Sequence, residues 1–105
     1  MRVAIMGKGA MGNVLAAMVE EKEGFELAGV VEPLNGEKLD DLTDVDVVID
    51  FSHPANLPAV VEFCQANAVP AVIATTAYGD EEMEMLHKLA TQVPVVFSAN
   101  YSLGV

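Results

Sequence analysis

Three glycines govern what this chain can become. Gly7, Gly9 and Gly12 follow a short apolar run at residues 2–6 and head a helical pattern that begins at Met11. The G-x-G-x-x-G spacing makes three physical demands. Gly7 permits a tight turn off a strand. Gly9 leaves no Cβ between the backbone and an approaching anion. Gly12 lets the helix lie close on the strand it has just left. The helix N-terminus then offers unpaired N–H groups and the positive end of its dipole to a pyrophosphate. Spacing alone is a weak signal, and a strand before it with a helix after it makes it a strong one. A glycine-rich turn with no ligand is the competing reading.

The rest of the chain alternates. Short β-rich runs at 27–31, 46–51, 71–74 and 94–98 are separated by helical patterns at 11–22, from 52–54 to about 66, and at 81–91. Nearly continuous apolar strands are those covered on both faces. Their alternation with helices predicts parallel βαβ units. The expected fold class is therefore α/β, a Rossmann-like doubly wound parallel sheet, with residues 1–105 as one nucleotide-binding domain. The first helix is expected to bury Val14, Leu15, Met18 and Val19, and Gly24 ends it. The second, with Pro54 near its start, buries Leu57, Val60, Val61 and Cys64. Asp80 is expected to cap the third, whose acidic first turn (Glu81, Glu82, Glu84) suits the helix dipole. Residues 34–45 are acidic and hold the turn signal Asn35-Gly36. They predict at most a short helical turn over 37–42, not a crossover helix.

Composition narrows the function. Apolar residues are 52% and charged residues 20% of the chain, which excludes disorder. Five Lys and Arg stand against 16 Asp and Glu, a net charge of −11. Nucleic acid and anionic membrane surfaces both want a basic face, so neither is an expected partner. The apolar runs fall far short of the roughly 20 residues of a membrane span. One cysteine makes no internal disulfide, and the first residues read as a strand, not as a signal peptide. A cytoplasmic location is expected. No His/Cys spacing suits a metal.

Ligands of open α/β sheets bind beyond the carboxyl ends of the strands, and here those ends are polar or small. Glu32 stands twenty residues after Gly12. An acid at that point accepts hydrogen bonds from both ribose hydroxyls of an adenosine and repels a 2′-phosphate. Pro33 follows it where an arginine would pair with that phosphate. NADH is therefore preferred, with NADPH as the second option, a preference that Lys8 and Lys38 can soften. A solvated acid is the bland alternative for Glu32. Thr75 and Thr76 can hold a carboxamide or merely bond local backbone. His53 reads as a helix-start residue, because no acid–base partner is evident. His87 reads as solvated or structural, Cys64 as a buried inert thiol, and Met11 and Met18 as packing residues.

Four stretches carry a resemblance. They are Val3-Ala4-Ile5-Met6-Gly7-Lys8-Gly9-Ala10-Met11-Gly12, Val47-Val48-Ile49-Asp50-Phe51-Ser52-His53-Pro54, Val72-Ile73-Ala74-Thr75-Thr76 and Pro94-Val95-Val96-Phe97-Ser98-Ala99-Asn100-Tyr101-Ser102-Leu103-Gly104-Val105. In this order they resemble the N-terminal domain of the dihydrodipicolinate reductase (4-hydroxy-tetrahydrodipicolinate reductase) family. The first motif is general to dinucleotide folds, and the last two are more specific. The resemblance implies an oxidoreductase of lysine and diaminopimelate biosynthesis. Such an enzyme passes a hydride from NADH or NADPH to a cyclic dicarboxylate imine or its hydroxylated precursor. The implied cofactor contacts are Gly7, Lys8, Gly9, Ala10, Met11, Gly12, Glu32, Phe51, Ala74, Thr75, Thr76, Ser98, Ala99, Asn100 and Tyr101. The family usually places glycines beside the two threonines, where this chain has Ala74 and Ala77.

The larger departure is an absence. The family's paired histidines, its lysine and its tetramer interface belong to a substrate domain that follows this segment, and no catalytic residue maps onto this chain. Five scattered cations cannot hold a dianionic substrate alone. The ending Leu103-Gly104-Val105 reads as the middle of a longer protein, which would be a homotetramer when whole. The chain alone is expected to bind dinucleotide weakly, turn nothing over, and be a monomer or weak dimer. Two other functions compete. One is a free-standing nucleotide or coenzyme A binding module, which would not need Glu32 at a ribose diol. The other is a different oxidoreductase of this fold acting on an amino acid or sugar, against which the tail at 97–105 speaks by resemblance.

Overall fold

The apolar runs form one parallel sheet. In a computed structural model that describes residues 1–7, 9–74 and 78–97, without the side chains of Ala10 and Met11, the strands are β1 (Arg2–Met6), β2 (Glu26–Val31), β3 (Val47–Asp50), β4 (Ala71–Ile73) and β5 (Val95–Phe97). Their order is β2-β1-β3-β4-β5, with every neighbouring pair parallel. The chain steps one way from β1 to β2 and the other way from β3 onward. The point of reversal therefore lies between β1 and β3, where open α/β sheets place their ligands.

Helices α1 (Ala10–Glu21), α2 (Leu57–Asn67) and α3 (Asp80–Ala90) connect β1 to β2, β3 to β4 and β4 to β5. Between β2 and β3 there is no α-helix. Two 3-10 turns, Pro33–Asn35 and Leu39–Asp41, carry the crossover, and buried Leu39 anchors the second against α2. The expectation for this acidic stretch holds, because its one deeply apolar position supports a turn and not a stripe. No described helix is long and apolar enough to cross a membrane.

The core explains why the strands read as they do. Val3, Ala4, Ile5 and Met6 of β1 are all buried, as a central strand covered on both faces must be. Val48 and Ile73 continue that layer, and Leu57, Val60, Val61, Cys64, Leu86 and Leu89 close it from α2 and α3. Burying each such aliphatic side chain contributes about 1.5–3 kcal/mol. All four residues expected on the α2 stripe lie in this core.

Two local expectations need correction. Val14 and Met18 of α1 are exposed, at 54% and 58%, not packed. The face turned to the sheet is Gly12, Leu15, Ala16 and Val19, an i, i+3, i+4, i+7 row. Gly12 sets that rotation, because α1 approaches the β1 turn through the one residue without a side chain. The stripe read from large apolar residues alone leaves out the glycine that fixes it. The cap of α3 is Gly79, with Asp80 the first helical residue. The Gly79 N–H donates to Glu82 Oε1 at 2.7 Å, so the carboxylate three residues on supplies the cap.

Candidate functional site

The turn after β1 is clamped on both sides. Gly7 has φ +114°, a conformation that side-chain-bearing residues rarely adopt. Its N–H donates to the Val31 carbonyl at 2.7 Å, tying the turn to the end of β2. A Cβ on Gly7 would meet the Phe51 carbonyl carbon and the Ser52 nitrogen at 3.3 Å, so the end of β3 closes the other side. At Gly12 a Cβ would collide with the Gly7 carbonyl oxygen at a separation real Cβ atoms essentially never show.

Gly9 differs from both. Its φ is −58°, open to any residue, and a Cβ there would meet no atom of the described residues within 4 Å. Among the described residues nothing requires glycine at Gly9, whereas conformation or packing requires it at Gly7 and Gly12. The bare space above Gly9 lies at the N-terminus of α1, where the cap has no side chain and the first turn holds no acid. The opposite case is α3, whose first turn carries Asp80, Glu81 and Glu82 and is capped by one of them. The positive end of α3 is thus answered within the chain. That of α1 has no side-chain cap and no acid in its first turn, and the N–H groups of such a turn are the kind that can hold an anion.

Glu32 extends from the end of β2, two strands' width of backbone away from Phe51 across the glycine turn. It is half-buried and caps the first 3-10 turn, its Oε2 accepting from the Leu34 N–H at 3.2 Å. The Glu32 N–H donates to Glu37 Oε1 at 2.8 Å, which brings a second carboxylate to the same strand end. Beside them the crossover and α2 enclose a groove of about 490 Å³, lined among others by Met6, Pro33, Leu39, Asn56 and Phe63. Its size is that of a small-molecule site, and Glu37, Lys38, Asp40 and Glu62 line it beside the apolar residues.

On the far side of the turn the strand ends are tied by backbone. The Phe51 N–H donates to the Met6 carbonyl and the Ala74 N–H to the Asp50 carbonyl, both at 2.9 Å. Asp50 is fully buried, and its Oδ1 accepts from both the N–H and the hydroxyl of Ser52. Cys64 is buried beneath, its thiol pushed up to about 12 by burial and, secondarily, by the Asp50 charge. Its inert role stands. His53 Nδ1 accepts from the Ala55 N–H at 3.0 Å and caps the 3-10 turn Pro54–Asn56, as a helix-start residue would. His87 is exposed on α3.

The structure thus gathers Gly7, Gly9, Gly12, Glu32, Phe51 and Ala74 at one edge of the sheet, with the backbone of Ala10 and Met11 in the first turn of α1. Lys8, Thr75, Thr76, Ser98, Ala99, Asn100 and Tyr101 lie outside the described residues. Sequence reasoning passed over Asp50 and Tyr78. The available signal was an acid inside the apolar run Val47-Val48-Ile49, where a charge is costly unless it is bonded. Among the described residues no group of three His, Cys, Asp or Glu is placed to hold a metal.

Comparison with known proteins agrees with this geometry. The family model described as "Dihydrodipicolinate reductase, N-terminus" matches residues 1–101. Relatives named 4-hydroxy-tetrahydrodipicolinate reductase include one from Staphylococcus haemolyticus, 40% identical over 114 residues, covering 100% of this chain and 46% of the relative. One from Exiguobacterium is 37% identical over 109 residues, covering 100% and 43%. One from Brachyspira hyodysenteriae is 33% identical over 105 residues, again covering 100% and 43%. The chain therefore spans less than half the length of the curated relatives it matches. With its five-stranded parallel sheet and its glycine turn at the point of strand reversal, it belongs to the family of dihydrodipicolinate reductase N-terminal domains.

Proposed function

We propose that this chain is the dinucleotide-binding part of a 4-hydroxy-tetrahydrodipicolinate reductase, acting in lysine and diaminopimelate biosynthesis. The observation that carries the reading is the contrast among the three glycines. Among the described residues two are demanded by backbone packing, and Gly9 alone of the three meets no neighbour, at a helix N-terminus with no side-chain cap. A pyrophosphate would take that space and would explain a glycine that the described residues do not demand.

From that anchor the chain's own residues take defined tasks. The N–H groups of the first turn of α1 hold the pyrophosphate, with Lys8, Ala10 and Met11 beside it. Glu32 accepts from the adenosine ribose hydroxyls, and the adenine enters the groove between Pro33 and α2. Glu37 against the Glu32 N–H doubles the negative charge that a 2′-phosphate would face, which supports NADH over NADPH. Phe51, Ala74, Thr75, Thr76 and the segment Ser98, Ala99, Asn100 and Tyr101 frame the nicotinamide half. When bound, the cofactor supplies a hydride. The substrate-holding groups belong to sequence beyond this half. The whole enzyme is a cytoplasmic homotetramer, and the isolated chain is inactive and monomeric or weakly dimeric.

Calorimetric titration with NADH, NADPH and coenzyme A tests this. Saturable NADH binding, tighter than NADPH, is expected. Binding of coenzyme A alone would replace the proposal with a binding module. Binding of none by a chain whose circular dichroism melt is cooperative would refute it.

A further inference from the structure

Among the described residues Asp50 is the one fully buried charged side chain, and it ends a strand whose other residues are Val47, Val48 and Ile49. A buried carboxylate is costly unless bonded, and a fourth aliphatic residue would serve the core better. What Asp50 touches gives it a purpose. Its Oδ1 accepts from the Ser52 N–H at 2.8 Å and the Ser52 hydroxyl at 2.6 Å. Its Oδ2 faces the Tyr78 hydroxyl at 3.4 Å. The Tyr78 ring in turn stacks on Phe97, with centroids 5.8 Å apart and planes 12° from parallel. One carboxylate and one phenol thus tie together the turn after β3, the connection after β4 and the end of β5.

These are the strand ends that the adenosine half leaves unused. With ribose at β2 and pyrophosphate at β1, the sheet order sends the rest of the dinucleotide toward β3, β4 and β5. We infer that Asp50, Ser52 and Tyr78 are positioning residues that hold the nicotinamide-facing ends of β3, β4 and β5 in one fixed arrangement. The inference rests on the dinucleotide reading above. The bond needed from Asp50 is acceptance from Ser52, which an amide oxygen also provides.

The test is titration of the chain and its variants with NADH and with ADP-ribose, which lacks the nicotinamide ring. Asp50→Ala and Ser52→Ala should each weaken NADH about tenfold, while ADP-ribose changes less than about twofold. Asp50→Asn should retain most of the NADH affinity, and Tyr78→Phe should fall between. Ser52→Ala keeps the test decisive if Asp50→Ala does not fold. Equal weakening of both ligands would make the network merely structural, and unchanged NADH affinity in Ser52→Ala would remove its role. Either overturns the inference. A wild-type chain that binds the two ligands equally well also overturns it, leaving the dinucleotide reading intact. A chain that binds neither ends both.

Discussion

Replacing Gly12 by alanine sets two opposing effects against each other. In an ordinary helix interior the change stabilises a protein by about 0.4–1 kcal/mol, through propensity and the entropy of the unfolded chain. Here the new methyl meets the Gly7 carbonyl oxygen and lies 3.1 Å from its carbonyl carbon. The obstacle is backbone, not the far end of a flexible side chain, so α1 must lift off β1. Overpacking of that kind costs about 1–3 kcal/mol. The clash wins, and a net loss of about 1–2 kcal/mol is expected. For a chain of this size that lowers Tm by about 5–15 °C.

Gly9→Ala is the matched control. Its methyl meets no atom of the described residues and its φ suits alanine. The gain in unfolded-state entropy and the poorer N-cap offset each other to within a few tenths of a kcal/mol. Tm should stay within about 3 °C, yet on the proposed reading NADH affinity should fall about tenfold or more, because the methyl would occupy the pyrophosphate's approach. Circular dichroism melts and calorimetry on the two variants read both effects. A Gly12→Ala protein that melts at or above the parent temperature would refute the packing account. A Gly9→Ala protein that binds NADH normally would refute the assignment of that space.

Glu32→Gln keeps an acceptor for the Leu34 N–H but removes the charge. NADH binding should weaken about three- to tenfold and the NADPH-to-NADH affinity ratio should rise, and parallel titrations that leave the ratio unmoved would count against Glu32 as the selector. Cys64 should resist iodoacetamide in the folded chain, as read by mass spectrometry, since its thiol ionises near 12 against 9.0 when free. From pH 9 upward the unfolded chain loses a proton that the folded chain keeps. Stability therefore falls with rising pH, and Cys64→Ala should flatten that decline in a series of melts. Reductase turnover should be absent from the purified chain, and any measurable rate would contradict the placement of the substrate-holding groups outside it.

Most of the frame was legible because it depends on short-range features. A strand covered on both faces must be apolar throughout, so β1 can be read from five letters. The α2 stripe follows from a helical period with no competing glycine, and all four residues fall in the core. The α1 stripe failed because its anchor is Gly12, which no hydrophobic pattern registers. Gly7 and Glu32 are legible by spacing, since each sits just past a strand, whereas Phe51, read as the last residue of its strand, enters the site only through the resemblance. Asp50 was not legible as a tie between strand ends. Its partner Tyr78 is 28 residues away, and that pairing exists only once β3 and β4 lie side by side.

The chain's charge should also appear in how it holds an anion. A dinucleotide carrying about two negative charges approaches a molecule with net charge −11 and extents of 35 × 34 × 27 Å. Treated as charges about 17 Å apart in water, they repel by about 5 kcal/mol before screening. At about 0.01 M salt the Debye length is roughly 30 Å and somewhat over half of that repulsion survives; at 0.15 M it is roughly 8 Å and about a tenth survives. Screening over that range therefore removes about 2.4 kcal/mol of repulsion. The attraction at the α1 N-terminus acts over the first turn and is much less reduced. NADH should therefore bind about thirty- to sixtyfold more tightly at 0.15 M than at 0.01 M salt, the opposite of a ligand held by a basic patch. Titrations across that range decide the matter. Affinity that falls as salt rises would mean that nearby cations, Lys8 and Lys38 first among them, hold the pyrophosphate, and that the bare helix N-terminus is not the principal anchor.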